Sequence, residues 1–308
     1  MPVWEKLGQL YDPTVRDKRH PKLITHCANP LAVPLEGDVF RVFYSGRDAN
    51  KRSSVGAVDI NIATRQIVQD HHAPFFEHGP LGSFYADGVS IGNCYRAADG
   101  RDYILFMAWQ VPPDAHWRGD VGRLRLTEAK TLELADPTPH LSSDEIDPVS
   151  LSYPWVQPMP QGGYEMWYGS TITWDAGNGE MEHVFNHATS PDGHTWQKHG
   201  QAVPSPVGVA QAFSRPTVAT RADGGLEMWF SYRGPPGRTY RIGYARAEDR
   251  AAWILDLDAS GIDVSPSGWD SDMIEYPFIF DHGGERYMLY NGNGFGATGF
   301  GLAVLRQG

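Results

Sequence analysis

The feature that most constrains this chain is a short motif that recurs five times: one distinctive residue, then Pro or Gly, then an apolar run. It reads Asn29-Pro30-Leu31, Asp87-Gly88-Val89, Tyr153-Pro154-Trp155, Arg215-Pro216-Thr217 and Tyr276-Pro277-Phe278, with steps of 58, 66, 62 and 61 residues between lead residues. A second motif ends in an aromatic 14 to 19 positions after each lead residue: Val42-Phe43-Tyr44, Ile104-Leu105-Phe106, Met166-Trp167-Tyr168, Met228-Trp229-Phe230 and Met288-Leu289-Tyr290. Self-similar units with strand patterning mean a propeller or a solenoid. Five copies with chemically unlike lead residues point to one site built jointly by five units.

Each repeat reads as four strands. The first follows the lead residue, as in Leu31 to Pro34. The second carries the aromatic-ending motif and alternates cleanly, as in Tyr164-Glu165-Met166-Trp167-Tyr168. The third is a short apolar run such as Val55-Gly56-Ala57-Val58 or Ile242-Gly243-Tyr244-Ala245. The fourth is announced in one repeat by Trp196. Gly, Asp and Pro mark the turns, as in Ala222-Asp223-Gly224-Gly225. Helical periodicity is nearly absent. The fifth repeat stops after its third strand, and Trp4-Glu5-Lys6-Leu7-Gly8-Gln9 matches Trp196-Gln197-Lys198-His199-Gly200-Gln201 in Trp, Lys, Gly and Gln. An N-terminal strand completing the last blade would protect its edge. The expected fold is therefore all-β: one five-bladed β-propeller domain over residues 1–308, its ring closed by that strand.

The 308 residues carry 26 Lys and Arg against 37 Asp and Glu, a net charge of -11. This argues against nucleic acid or an anionic membrane as partner. No stretch approaches the ~18 apolar residues of a membrane span. Met1-Pro2-Val3-Trp4-Glu5-Lys6 has neither a basic nor an apolar leader segment, so no signal peptide is expected and the expected compartment is the cytoplasm. Cys27 and Cys94 allow one disulfide, but two buried thiols suit a reducing compartment better.

With inner strands beginning at the lead residues and second strands running back to the same face, one channel mouth should gather His26, Asn29, Asp87, Tyr153, Arg215, Glu275 and Tyr276. Its rim should gather Ser45, Arg47, Trp109, Ser170, Tyr232, Arg233, Asn291 and Asn293. The connecting segment Ser142 to Asp147 is expected to arrive there too. Arg matches carboxylate or phosphate bidentately, so Arg215, with Arg47 and Arg233, would define an anionic subsite. Trp109 and Tyr232 would stack on a ring; Tyr153, Tyr276, Asn29 and Asn291 would supply polar contacts. Asp87 and Glu275 would move protons, with His26 as a further acid or base. His183 and His187 share one strand face but lack a third ligand, which makes weak metal evidence.

The repeat layout resembles the five-bladed propeller superfamily of arabinanases, β-xylosidases, invertases, levansucrases and mannoside phosphorylases, over the whole chain. The hairpin Ser190-Pro191-Asp192-Gly193-His194-Thr195-Trp196 looks like a Ser-x-Asp-Gly-x-x-Trp turn common there. The resemblance implies glycosidic-bond chemistry by three carboxylates at inner-strand starts of the first, third and fourth blades. The matching positions here hold Asn29, Tyr153 and Arg215, so that catalytic set is not carried over. The resemblance allows a hydrated cation in the channel; no residue pattern calls for one, and no cofactor is expected.

The expected function is a glycosidase-like enzyme, hydrolytic or glycosyl-transferring, acting on a carbohydrate or related polar, anionic small molecule or an oligosaccharide. The alternatives are a non-catalytic carbohydrate-binding propeller, or a lyase, isomerase or cyclase on the same scaffold.

Overall fold

The structure is a computed structural model that describes residues 2–15, 19–235, 237–250 and 252–306. Strand β1 (Val3–Tyr11) comes first. Then follow β2 (Thr25–Pro34), β3 (Val39–Arg47), β4 (Ser53–Asn61) and β5 (Gln66–Asp70), paired in that order. The pattern repeats in β6 (Gly88–Arg96), β7 (Asp102–Gln110), β8 (Arg118–Leu126) and β9 (Leu132–Leu134). It repeats again in β10 (Ser150–Pro158), β11 (Tyr164–Thr173), β12 (Glu182–Ser190) and β13 (Gln197–Gln201), and in β14 (Gln211–Thr220), β15 (Leu226–Arg233), β16 (Arg241–Ala247) and β17 (Trp253–Leu255). Finally β18 (Glu275–His282), β19 (Glu285–Asn291) and β20 (Phe300–Arg306) pair in order, and β1 adds antiparallel to β20. A single parallel bridge, Ser53 to Gly88, links β4 to β6 and makes one eight-stranded sheet of the first two groups.

The first strands of the groups are neighbours in the order β2, β6, β10, β14, β18, and β18 returns to β2. The one α-helical element among the described residues is the four-residue α1 (Asn293–Gly296), and no helix is long and apolar enough to cross a membrane.

Aromatic side chains fill the spaces between sheets. Trp4 of β1 meets Trp229 of β15 edge-on at 5.5 Å, and Phe185, Phe213 and Phe230 pack where the β10–β13 and β14–β17 sheets face each other. The aromatic that closes the apolar motif of each second strand faces a glycine on the third strand in four of the five groups: Tyr44 and Gly56, Phe106 and Gly122, Phe230 and Gly243, Tyr290 and Gly301. A Cβ at Gly122 would lie 2.1 Å from the Phe106 ring, and one at Gly56 2.5 Å from the Tyr44 ring. A strand glycine gives up packing of its own; here the facing ring covers it. The third sheet sets Asn186 opposite Tyr168 instead.

The Ser190–Trp196 turn is a linker. The Asp192 carboxylate accepts the His194 and Thr195 N–H groups, which hold its pKa down at about 2. Tyr95 on the neighbouring group donates to the Gly193 carbonyl at 2.8 Å. Cys27 is buried, and no disulfide joins it to Cys94, whose thiol burial pushes up to about 12.

Pairing register corrects the reading of the inner strands. They do not begin at the lead residues: each carries its lead residue inside, at a bulge where two residues are skipped. The skips fall between Ala28 and Leu31, Ile91 and Cys94, Ser152 and Trp155, Ser214 and Thr217, and Glu275 and Phe278. The second group's lead residue is therefore Gly92, followed by Asn93, and not Asp87. With Gly92 in place the steps become 63, 61, 62 and 61 residues. Asp87 misled because its Asp-Gly pair is an authentic turn just ahead of β6. Asn93 replaces the proline of the other copies and bonds both the N–H and the carbonyl of Val156 on β10, at 2.8 and 2.7 Å.

Candidate functional site

The bulges matter because a bulge re-aims side chains. Asn29, Tyr153, Arg215 and Tyr276 have φ of 55°, 34°, 48° and 53°, a region that non-glycine residues seldom occupy and that costs of order 1–3 kcal/mol per residue. Four strained residues at one register, on inner strands that are neighbours around an axis, mark the centre of the molecule as the place where local comfort yields to another demand.

At that centre lies a cavity of about 450 Å³, lined by residues of all five strand groups. Asn29, Ser90, Ser152, Tyr153, Ser214 and Tyr276 come from inner strands, and Ser45, Arg47, Trp109 and Arg233 from second strands. Trp117, Tyr240 and Phe295 reach in from loops and from α1. Tyr153 and Tyr276 sit with ring centroids 5.5 Å apart, and Tyr153 is hydrogen-bonded to Tyr276 and to Ser90. Trp109 donates its indole N–H to Ser53 Oγ at 3.0 Å.

Among the described residues, the cavity wall carries two guanidinium groups and no carboxylate. Arg233 pairs with the buried Glu180 and lies 5.5 Å above the Tyr240 ring. The Arg47 guanidinium makes no hydrogen bond or ion pair among the described residues.

Just behind the wall is Glu275, fully buried, with neither carboxylate oxygen hydrogen-bonded. Burial pushes its pKa well above the ordinary 4.5, and the Arg47 charge opposes the rise only in part, so the group is neutral where an exposed carboxyl would be ionised. Its neighbours Tyr153, Tyr240 and Tyr276 are raised too, by burial first and then by Glu275.

Of the residues expected at the mouth and its rim, Asn29, Ser45, Arg47, Trp109, Tyr153, Arg233 and Tyr276 share this cavity wall; eight others, Ser170 and Asn293 among them, do not. Arg215 points deeper. Its Nη2 donates to the Pro30 carbonyl at 2.7 Å and to the Gly92 carbonyl at 3.4 Å, and Phe278 lies under it at 5.8 Å. Burial lowers its pKa to about 9, so it stays a cation at neutral pH. It is a brace across three inner strands, not a contact for a ligand in this cavity.

Asp87 is half-buried, and its Oδ2 accepts the Val111 N–H at 2.7 Å, which commits it to a loop. Tyr232 faces an outer cleft with Arg238, Arg241 and Asp263. Asn291 is a clamp: Oδ1 accepts the Asn29 N–H at 2.9 Å, and Nδ2 donates to the Cys27 and Gly299 carbonyls at 2.7 and 2.9 Å. His26 lies outside the wall near α1, and burial, then Arg47 and Arg19, lowers its pKa to about 4. Glu275 lies behind the wall. The connecting segment delivers nothing to the mouth either: Asp147 is buried among Tyr168, Asn186 and Lys198.

No protein-family model matches the chain. It is 41% identical over 309 residues to the uncharacterized protein MT1551 of Mycobacterium tuberculosis (strain CDC 1551 / Oshkosh), covering 99% of this chain and 100% of that protein. It is 40% identical over 308 residues to the uncharacterized protein Rv1502 of Mycobacterium tuberculosis (strain ATCC 25618 / H37Rv), with the same coverage. The chain belongs to the family of these two proteins.

Solved structures share its fold. A structure from work on the GH130 family of mannoside phosphorylases, containing glycoside hydrolases that target β-1,2 mannosidic linkages in Candida mannan, superposes with a TM-score of 0.73 at 13% identity, over 98% of this chain and 93% of that one. A thermostable family-43 glycoside hydrolase gives 0.64 at 13%, over 94% and 91%. The GH32 β-fructofuranosidase BmSUC1 of Bombyx mori gives 0.65 at 12%, over 96% of this chain and 63% of that one. At such identities the likeness is one of fold: the chain has the all-β propeller fold of these glycoside hydrolases.

Among the described residues, no group of three or more His, Cys, Asp or Glu is arranged to hold a metal ion.

Several wall residues escape a reading of the sequence. Ser152 and Ser214 directly precede lead residues, so a column-by-column alignment of the bulges would have found them; Ser90, two before Gly92, stands outside that column. Trp117, Tyr240 and Phe295 lie outside the repeat, and nothing in their local sequence points inward.

Proposed function

We propose that the chain is a single five-bladed propeller domain over residues 1–308, a glycosidase-like enzyme that transfers a glycosyl group to or from an anionic co-substrate in the central cavity. The observation that carries this reading is an uncommitted Arg47 guanidinium on an aromatic wall, with a buried, neutral Glu275 behind it. Hydrolysis by either stereochemical route needs a second carboxylate, as a base for water or as a nucleophile, and the wall has none among the described residues. An anionic acceptor such as phosphate brings its own nucleophilic oxygen. Arg47 would hold it, Trp109 and Trp117 would face the sugar, and Glu275, once its carboxyl turned to the Tyr153–Tyr276 hydroxyl pair, would protonate the departing glycosidic oxygen. A cavity of this size lies within the ~300–1,000 Å³ usual for small-molecule sites.

The test is calorimetry and turnover with neutral sugars, uronates and glycosyl phosphates. Anionic sugars should bind; Arg47→Gln should weaken them by roughly 10- to 100-fold, the worth of a charged hydrogen bond, and leave neutral sugars unchanged. Glu275→Gln should cut turnover by about 10²-fold or more with binding retained. Equal binding of anionic sugars by wild type and Arg47→Gln would overturn the assignment. The bare wall also favours a second reading, a carbohydrate-binding propeller without catalysis, which predicts binding with no turnover of any sugar in that panel.

A further inference from the structure

Ser152 Oγ lies 2.6 Å from His183 Nε2, and Thr171 Oγ1 lies 2.6 Å from His183 Nδ1. Ser152 is on β10, Thr171 on β11 and His183 on β12, and Ser152 and His183 both face the cavity. Space for the contact comes from Gly169, the strand partner of Ser152. A Cβ there would sit 2.1 Å from Ser152 Oγ and 2.3 Å from His183 Nε2. Burial alone drives the imidazole down to about 3, so the empty site holds it neutral, and the negative charge that builds on the attacked carbonyl oxygen has to raise it for the ring to take the serine proton. Both ring nitrogens are taken by hydroxyls, so a neutral ring that gives its Nδ1 proton to Thr171 presents the Nε2 lone pair to Ser152. Ser214 stands at the same register on neighbouring β14, lines the cavity, is nine-tenths buried and has a hydroxyl without a partner.

We propose that Ser152 and His183 are a nucleophile and base that cleave an ester, and that the cavity accepts an O-acylated alcohol, of which an acylated sugar is the fitting class. This goes beyond glycosyl transfer and does not depend on Arg47 or Glu275. Ser152 Oγ attacks the acyl carbon while its proton passes to His183 Nε2. Ser214 O–H donates to the carbonyl oxygen as it becomes negative. The bond from acyl carbon to alcohol oxygen breaks, and the alcohol leaves with the proton from His183. Water, deprotonated in turn by His183, then releases the acid and restores Ser152. Thr171 is a positioning residue that fixes the ring tautomer.

The test is active-site labelling. Wild-type protein is treated with a fluorophosphonate and mapped by peptide mass spectrometry, with 4-nitrophenyl acetate hydrolysis in parallel. The adduct is expected on Ser152 and absent in Ser152→Ala, which should also lose esterase activity. His183→Gln should slow labelling by about 10²-fold or more. Thr171→Val should slow it, and Thr171→Ser, which keeps the hydroxyl, should restore it. No adduct on wild-type Ser152 at concentrations that label a control serine esterase overturns the proposal, whatever the variants do. So does an adduct that forms equally fast in folded His183→Gln.

Discussion

Glu275 is the residue whose protonation is tied most directly to folding. Its folded pKa is raised, so the folded state keeps a proton that the unfolded chain releases above the ordinary 4.5. Stability is therefore full below that value and declines as pH rises toward the folded pKa, with a slope of up to about 1.4 kcal/mol per pH unit for one proton. Glu275→Gln should remove this slope. Its melting temperature should match wild type near pH 4 and exceed it at pH 8; parallel pH profiles would show that Glu275 finds a partner after all. At this scale the sequence is half legible. Asn29, Tyr153 and Tyr276 stand out because the repeat sets them apart, and Arg47, Trp109 and Arg233 because they end second strands. Arg215 stands out equally, yet spends its charge on the carbonyls of Pro30 and Gly92. No pattern in one dimension shows how far along a channel a long side chain reaches. The pairing of Ser152 with His183 is likewise invisible in order along the chain, since it joins strands with another strand between them.

Strands are where the sequence speaks most clearly. Alternation and aromatic endings place the second strands, and Gly-rich turns bound them. What remains hidden is the bulge, because nothing local distinguishes Gly92-Asn93 from an ordinary stretch of strand, whereas Asp87-Gly88 advertises a turn. Evenness of spacing is the better guide: the irregular steps around Asp87 were the sign of a misplaced register. The glycine opposite each aromatic belongs to this scale as well. Gly122→Ala should push the Phe106 ring from its site and destabilise by about 1–3 kcal/mol, the range for overpacked cores. The same change at Gly100, an open turn position with φ of 78°, meets no neighbouring atom and should act through backbone strain alone. Urea unfolding of both variants separates the causes, because Phe106→Leu should relieve the first and leave the second untouched.

For the molecule as a whole, the match between Trp4 to Gln9 and Trp196 to Gln201 foretold that the first strand would finish the last sheet. β1 does pair with β20. Trp4 is 5% exposed against Trp229, and Lys6 reaches Asp270 at 2.7 Å and Ser265 at 2.9 Å. Trp4→Ala should cost about 3–5 kcal/mol, as for a large core truncation, and should loosen contacts of both the β14–β17 and β18–β20 sheets. Hydrogen exchange should show both sheets opening together. Protection lost only at the N-terminus would mean that β1 merely decorates the edge.

The pairing of β1 with β20 also sets an order of events at the ribosome. Of the strands described, the earliest to emerge has as its partner the last one made, so while β2 to β19 are synthesised β1 waits with its backbone unsatisfied, an edge open to foreign strands. A circular permutant that begins at Thr25 and carries the Val3–Tyr11 segment behind Arg306 would make the two strands in succession, and should reach its native state with less aggregation from the same starting yield.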